Sequence, residues 1–298
     1  MTYEKYRSIM ISAVNDFVSK LVAKKIPLSL TITGQSLESR RMENVNDIDI
    51  ILVFSGYDKY KSMLDIAYDV QKNFSKKDVE ICIVPQYGPV RPQLESGKWK
   101  MQFQIMVYTP RRLKRISPVS CLARYSWQFE PPYSGAPFKK YFSLDKISFD
   151  NVINSHWGIL HCIDCIKNDR REYWEWISDK NQKFGFRLAH IYENLTSQEL
   201  LLQFYVYCVE NCARNYIRAK TGKHFTDKEK AFEEFKKEFS DKSFAAYPIE
   251  MYKEKLLFRQ DKLKITKRLV NERKSKTLDF LESLKKIVLS MGSSEPGF

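Results

Sequence analysis

The most restrictive feature of the sequence is the segment DIDIILVF at residues 47–54, in which two aspartates begin an otherwise apolar run. Side chains alternate between the two faces of a β-strand, so Asp47 and Asp49 are predicted to share one face, opposite to Ile48 and Ile50. Two carboxylates side by side in a buried strand are costly unless a cation compensates them. The segment therefore predicts a strand with a cation site.

A divalent metal ion is the cation that fits this pair best. Mg²⁺ (or Mn²⁺) prefers oxygen ligands and usually completes its coordination shell with substrate phosphates. Glu80 lies in a further apolar run, DVEICIV at residues 78–84. If the two strands are neighbours, we expect Glu80 to reach the same metal ions or to accept a proton from an attacking hydroxyl. Asp78 competes for this position because it belongs to the same face of the predicted strand.

A glycine-containing turn precedes the aspartates. PLSLTIT at residues 27–33 predicts a strand that ends at Gly34, after which a helix is expected. Glycine lets the backbone approach a phosphate closely, and the amide groups at the start of a helix favour an anion. The Ser36 hydroxyl adds a donor, and Arg40 and Arg41 supply positive charge nearby. This segment is therefore predicted to bind phosphate groups.

Taken in chain order, these three segments resemble the nucleotidyltransferase superfamily, which has a palm domain like that of DNA polymerase β. The superfamily includes minimal antitoxin-type, antibiotic-modifying and RNA nucleotidyltransferases. The resemblance covers about residues 27–84 and rests on a glycine and a serine after a strand, two aspartates opening the next strand, and an acid on a further strand. The chain departs from the family pattern at Gln35, which separates Gly34 from Ser36 and puts the serine one position late.

The resemblance implies a small palm with a mixed sheet and flanking helices, and a metal-dependent reaction. Asp47 and Asp49 would ligate two Mg²⁺ or Mn²⁺ ions, Glu80 would be the third carboxylate, and Gly34 and Ser36 would hold a nucleoside triphosphate such as ATP. An acceptor hydroxyl would attack the α-phosphate in line, and pyrophosphate would leave. The two metal ions would stabilise the attacking and the leaving oxygen.

The net charge guides the expectation for the acceptor. The 298 residues include 50 Lys and Arg against 36 Asp and Glu, a formal charge of +14. Such a charge favours polyanionic partners. We therefore expect an RNA acceptor, such as tRNA, over a cationic drug, which would prefer an acidic cleft. The alternatives are nucleotidylation of a small molecule or a protein, as in antibiotic-modifying or toxin–antitoxin systems, and a non-catalytic module that binds nucleic acid.

The apolar periodicity predicts an α+β chain with two domains. Helical spacing covers residues 3–24 and 58–74, strands are expected at 27–33, 47–54, 78–84 and 100–108, and a proline-rich connector covers 131–137. From about residue 148 onward the pattern predicts helices at 149–167, 172–195, from 198 to Gly222, from 227, and at about 250–290. We expect a palm domain with connector at 1–140 and an all-helical acceptor or support domain at 141–298.

Two patterns in the helical half suggest other sites. Arg218 followed by His224 resembles the Arg-x(4–6)-His signature of HEPN ribonucleases, so RNA cleavage by the helical half is a second hypothesis. His161 with four nearby cysteines, at positions 162, 165, 208 and 212, offers ligands for zinc. Cysteines inside apolar helical patterns more commonly pack as small hydrophobic residues.

The amino-terminal residues MTYEKYRSIM do not have the basic-then-apolar layout of a secretion signal, and no run reaches the roughly 18 apolar residues of a membrane span. The six cysteines are then expected to be reduced thiols. We expect a cytoplasmic protein with no membrane partner. The sequence does not predict an oligomeric state.

Overall fold

The computed structural model describes residues 1–33, 47–75, 79–87, 99–114, 125–155, 157–169, 171–178, 184–191, 198–225, 227–259 and 262–292. The chain divides into two compact units. The first unit consists of Met1–Arg115, Trp127–Ser143 and Tyr173–Ala189, and the second consists of Ile116–Ser126, Leu144–Glu172 and His190–Phe298. The predicted domain boundary near residue 140 stays a prediction.

The first unit is built on a mixed β-sheet. Its helices are α1 (Tyr3–Ala23), α2 (Tyr60–Phe74) and α3 (Pro110–Lys114), with 3₁₀ turns at Tyr57–Lys59 and Phe138–Lys140. The strands are β1 (Pro27–Thr33), β2 (Asp47–Phe54), β3 (Glu80–Tyr87), β4 (Lys100–Tyr108), β5 (Pro132–Gly135), β6 (Arg171–Ser178) and β7 (Phe184–Ile191). Their order across the sheet is β5-β1-β2-β4-β3-β6-β7.

The strand pairings combine both orientations. β1 is antiparallel to β2 and to β5, whereas β2 and β4 are parallel, as are β4 and β3. β6 is antiparallel to β3. Residues 50–54 of β2 and 105–108 of β4 are continuous apolar runs and are all buried, as expected for parallel strands that are covered on both faces.

Helices α1 and α2 form the core of the first unit with one face of the sheet. Phe17 of α1 and Met63 of α2 belong to one cluster of buried side chains together with Ile50 and Leu52 of β2. Because side chains alternate along β2, the odd-numbered residues from Asp47 onward belong to the opposite face. The core thus determines which face carries the two aspartates.

The second unit contains six helices, which are α4 (Phe149–Asn154), α5 (Ile159–Lys167), α6 (Gln198–Thr221), α7 (Lys228–Lys237), α8 (Lys242–Arg259) and α9 (Lys267–Gly292), counted over the described residues. Helix α6 packs against α7, α8 and α9, and α9 also packs against α4 and α5. Gly222 follows α6 with a positive φ of 67°, a conformation that glycine adopts without strain. The Asp227 side chain accepts a hydrogen bond from the Glu229 amide and caps α7.

The structure confirms the coarse α+β class, with a mixed sheet and helices in the amino-terminal part and a helical carboxy-terminal region. The helix predicted over 172–195 is wrong, because β6 and β7 occupy this segment. Both strands are rich in aromatic residues, which favour strands when a sheet edge such as β3 is available for pairing. No helix in the described part of the chain has the length and apolar character needed to cross a membrane.

The single helix predicted over about 250–290 is also wrong. Helix α8 already begins at Lys242 and ends at Arg259, and α9 begins at Lys267. The hydroxyl of Thr266 accepts a hydrogen bond from the Leu269 amide at 3.2 Å, so it satisfies a donor at the start of a new helix. The helix predicted over 149–167 is likewise divided, into α4 and α5.

Candidate functional site

The structure places Asp47 and Asp49 at the amino-terminal end of β2, on the sheet face opposite to α1 and α2. Both side chains are partly buried, whereas Ile48 and Ile50 between and after them are buried in the core. The apolar side chains therefore fix the orientation of β2, and this brings the two carboxylates to one face as predicted.

Strand β4 supplies the nearest neighbours of this pair. Gln102 lies opposite Asp47 and Gln104 lies opposite Asp49 in the parallel register. The Nε2 atom of Gln104 donates a hydrogen bond of 2.8 Å to Oδ2 of Asp47. Both glutamines are almost fully buried. These glutamines were not predicted as site residues, although two amides that alternate inside the apolar run MQFQIMVY are a recognisable signal.

Strand β1 borders the pair on the other side. Thr33, its last residue, lies opposite Asp49 in the antiparallel register. The chain therefore leaves β1 next to Asp49, and the predicted phosphate-binding segment follows directly. The four residues predicted to bind the nucleotide lie outside the described residues: Gly34, Ser36, Arg40 and Arg41.

Glu80 is not brought together with the aspartate pair, because β4 lies between β3 and β2. Glu80 lies opposite Lys100 on β4, two residues before the level of Asp47. Strands β3 and β2 are separated by two strand spacings, about 9.6 Å, and Glu80 is offset from Asp47 by about 6.6 Å along the strand direction. The condition that β2 and β3 are neighbours is therefore not met. Asp78, the competing acid, lies outside the described residues.

Glu80 has other partners in the structure. Its Oε2 atom lies 3.2 Å from Nζ of Lys100, and its Oε1 atom accepts a hydrogen bond of 3.2 Å from the Cys82 thiol. The Cys82 hydrogen bond and then Lys100 lower the pKa of the Glu80 carboxyl. The side chain is 57% exposed, so a surface ion pair accounts for its position.

The described residues alone do not form a complete metal cage. They contain no group of three or more histidine, cysteine, aspartate or glutamate side chains that could hold a metal ion. Mg²⁺ is nevertheless commonly bound through one or two carboxylates, with water and substrate phosphates as its other ligands. The Asp47 and Asp49 pair fits this mode of binding.

The second unit contains a buried arginine beside a histidine. Arg218 is 4% exposed; its Nη1 donates to Oδ1 of Asn215 at 2.9 Å and its Nη2 donates to Oγ of Ser126 at 2.7 Å. Nη2 also lies 3.4 Å from Nδ1 of His224. Burial, followed by the charges of Arg218 and Arg214, lowers the pKa of His224 to about 4. His224 is therefore neutral at pH 7.

Glu210, on α6, is almost fully buried, with 3% of its surface exposed. Its Oε2 atom lies 2.9 Å from Nζ of Lys228 and 3.5 Å from Nζ of Lys255. Burial alone would raise its pKa, but the charges of Lys228 and then Lys255 outweigh burial and lower the pKa to about 2. The carboxylate thus stays ionised and holds α6 to α7 and α8.

The cysteines of the helical region are buried thiols. The Sγ atoms of Cys162 and Cys212 lie 3.9 Å apart, and Sγ of Cys165 lies 3.4 Å from Nε2 of His161. Burial raises the pKa of the Cys162 thiol well above its ordinary value. Since zinc binds thiolates, this environment favours the packing of cysteine as an apolar residue.

Comparison with known proteins assigns no family to the chain. No family model matches it, and no curated protein matches it. The functional assignment therefore depends on the residues and the geometry described above.

Proposed function

We propose that the protein is a nucleotidyltransferase that depends on Mg²⁺ or Mn²⁺. It transfers a nucleoside monophosphate from a nucleoside triphosphate to an acceptor hydroxyl, and pyrophosphate is released. The observation that supports the proposal is the position of Asp47 and Asp49 on one face of β2, next to the end of β1 at which the Gly34 segment begins. This position combines two metal ligands with a predicted phosphate-binding turn.

Asp47 and Asp49 would hold the metal ions. The hydrogen bond from Gln104 fixes the orientation of the Asp47 carboxylate, and such supporting bonds commonly tune metal affinity. When bound, Mg²⁺ polarises the α-phosphate and stabilises the charge on the departing pyrophosphate. Gln104 is neutral, so it supports Asp47 without adding a third negative charge to the pair.

The Gly34 segment would hold the triphosphate. In the proposal, the Gly34 backbone and the Ser36 hydroxyl bind phosphate oxygens, and Arg40 and Arg41 balance their charge. Thr33, the residue that precedes this segment, lies opposite Asp49, which supports a triphosphate site beside the proposed metal ligands. ATP is one candidate among the triphosphates, and the base preference is left to experiment.

The proposal requires only two carboxylates from the protein. Glu80 stays a prediction as the third carboxylate and as a proton acceptor. To take either role in this strand order, its carboxylate would have to leave Lys100 and reach across β4. Mg²⁺ sites with one or two protein carboxylates make such a rearrangement unnecessary.

RNA is the proposed acceptor, with tRNA as one example. The support is the formal charge of +14, which favours a phosphate backbone over a cationic small molecule. Nucleotidylation of a small molecule or a protein is the alternative. The cytoplasmic location also stays a prediction.

A labelling screen tests this function. The protein is incubated with each labelled nucleoside triphosphate, with Mg²⁺ or Mn²⁺, and with total RNA, a small-molecule set or a protein extract as acceptor. Label transfer by the wild type that is lost in Asp49→Ala supports the enzyme and identifies the acceptor. No transfer to any acceptor, with RNA binding intact, would overturn the enzyme and indicate a non-catalytic module.

A second function, RNA cleavage by the helical region, is favoured by one contact. Nη2 of Arg218 lies 3.4 Å from Nδ1 of His224, and the hydroxyl of Ser126 accepts a hydrogen bond from the same guanidinium. A neutral imidazole can accept a proton from a ribose hydroxyl, and a guanidinium can stabilise negative charge on the attacked phosphate. RNA cleavage that is lost in His224→Ala but retained in Asp49→Ala would assign this activity to the second unit.

A further inference from the structure

The second unit contains a cavity that nucleotidyl transfer does not use. It has a volume of about 450 Å³ and lies where the end of α7 meets α8 and α9. This volume is in the range of sites that bind small molecules. Its described lining consists of aromatic and aliphatic residues, serines, three acids and one lysine.

The apolar part of the cavity is an aromatic floor. The rings of Phe244 and Phe280 are stacked, with centroids 4.9 Å apart and planes at 26°. Phe239 packs edge-on against Phe244 with ring centroids 4.9 Å apart, and the ring centroids of Tyr247 and Phe280 are 5.5 Å apart. The phenol of Tyr247 is fixed by a 3.0 Å hydrogen bond with Thr277. Phe239 and Phe244 remain partly exposed, and exposed aromatic rings attract cations and flat apolar groups.

The polar part of the cavity is an acidic rim. Asp241, Glu250 and Asp279 line it and are exposed. Within the described part of the chain, neither Glu250 nor Asp279 has an ion-pair partner. Among the described residues that line the cavity, Lys276 is the one cation, and its Nζ atom lies 3.0 Å from the Glu272 carboxylate, so its charge is already balanced. An acidic cavity is thus present in a chain with a formal charge of +14.

From the aromatic floor and the acidic rim, we propose that this cavity binds a small organic cation, that is, an ammonium or amidinium group on a flat or apolar body. The body packs against Phe239 and Phe244, the partly exposed rings of the floor, and the charged group faces Glu250 and Asp279. Nucleotides and other anions are repelled by the same rim. This site therefore differs in ligand chemistry from the proposed triphosphate site, and it does not depend on that proposal.

A pair of matched ligands tests the site on the wild-type protein. Benzamidine and benzamide have nearly the same shape, but only benzamidine is charged at pH 7. We expect calorimetry to show millimolar binding of benzamidine, weakened at high salt, and at least about tenfold weaker binding of benzamide. Equal binding of the two ligands, or no binding of benzamidine, would overturn the proposal.

Variants locate the binding in this cavity. Asp279→Asn and Glu250→Gln remove charge from exposed positions, so we expect each to weaken benzamidine binding several-fold without unfolding the protein. Phe244→Leu removes a ring of the floor and should weaken binding as well. Glu233→Gln removes an exposed acid of α7 outside the cavity and serves as the control. Unchanged affinity in the two rim variants would contradict the proposal, whatever the effect of Phe244→Leu.

Discussion

Gln104 orients Asp47 through a hydrogen bond of 2.8 Å from its Nε2 atom to Oδ2 of the carboxylate. The two residues lie on neighbouring parallel strands, and Gln104 is almost fully buried. A buried amide beside a carboxylate pair supplies a donor but no negative charge. The strand next to Asp47 and Asp49 therefore relieves part of the cost of bringing the two acids together.

Substitution of Gln104 tests metal binding without requiring the acceptor of the transfer reaction. Gln104→Glu adds a carboxylate beside Asp47, so in a chelator the variant should unfold at a lower temperature than the wild type. Mg²⁺ should then raise the melting temperature of the variant more than that of the wild type, because a third carboxylate strengthens the site. An equal or absent response of both proteins to Mg²⁺ in thermal unfolding would argue against a metal ion at this position.

The Glu80→Gln variant distinguishes a site with two protein carboxylates from a site in which Glu80 is the third. Because β4 lies between Glu80 and the aspartates, we expect Glu80→Gln to reduce the rate of nucleotidyl transfer by no more than a few-fold, mainly through the loss of the exposed Lys100 ion pair. The rate is measured at saturating metal and triphosphate. A loss of about 100-fold or more would instead place Glu80 among the catalytic carboxylates.

Glu210 is expected to contribute a pH-dependent part of the stability. Its folded pKa of about 2 lies below the ordinary value of 4.5, so the stabilisation is present above pH 4.5 and is lost as the pH falls towards 2. Glu210→Gln leaves two lysines without their buried partner and should lower the free energy of unfolding at pH 7 by about 3 kcal/mol. Urea unfolding at pH 7 and pH 3 should show this difference shrinking at the lower pH. A difference that is the same at both pH values would contradict it.

The charge of Arg218 should be visible in the titration of His224. With the folded pKa lowered from 6.5 to about 4, the imidazole should remain neutral down to nearly pH 4. Its proton resonance, assigned by its absence in His224→Gln, should therefore titrate well below pH 6.5, the ordinary pKa of a histidine. Burial is the larger cause of the low pKa of His224 and the charge of Arg218 the second, so Arg218→Gln should raise the midpoint only part of the way towards 6.5. A wild-type midpoint near 6.5 would contradict both the burial of the ring and its position beside the guanidinium, and an unchanged midpoint in Arg218→Gln would contradict the second alone.

The titration of His224 also affects stability. Between pH 6.5 and pH 4 the folded state binds fewer protons at His224 than the unfolded state does, so the free energy of unfolding should fall as the pH is lowered through this window. The fall should be smaller in His224→Gln. Chemical unfolding at several pH values measures it, and equal slopes for the two proteins would contradict it.

The local periodicity of apolar residues was sufficient to predict the helices and strands that have a clear apolar pattern. Helix α1 and the strands β1, β2 and β4 lie close to the predicted ranges because their apolar side chains recur with the helical or strand period. Strands β6 and β7 were missed because the helical spacing of their apolar residues was weighed above the strand preference of their aromatic residues, and pairing of β6 with β3 favours the strand. The break between α8 and α9 depends on a cap at Thr266, a short signal within a long periodic run.

Alternation along one strand was likewise sufficient to place Asp47 and Asp49 on the same face. Which strand lies beside them is a property of the whole sheet, and no pattern within β2 or β3 encodes it. For this reason Glu80 was expected close to the aspartates, whereas Gln104 was not recognised. Likewise, the contact of Arg218 with Ser126 joins residues 92 positions apart and depends on tertiary packing.

The rate of label transfer in isosteric variants tests the central claim most directly. With the triphosphate and acceptor found in the screen, initial rates are compared for the wild type, Asp47→Asn and Asp49→Asn, with Asp65→Asn on the exposed face of α2 as the control. Because each variant removes a proposed metal-binding carboxylate with little change in side-chain size, both should lose activity by at least about 100-fold, and the control should retain it. Transfer at the wild-type rate in Asp47→Asn and Asp49→Asn would contradict the assignment of these residues as the catalytic metal ligands.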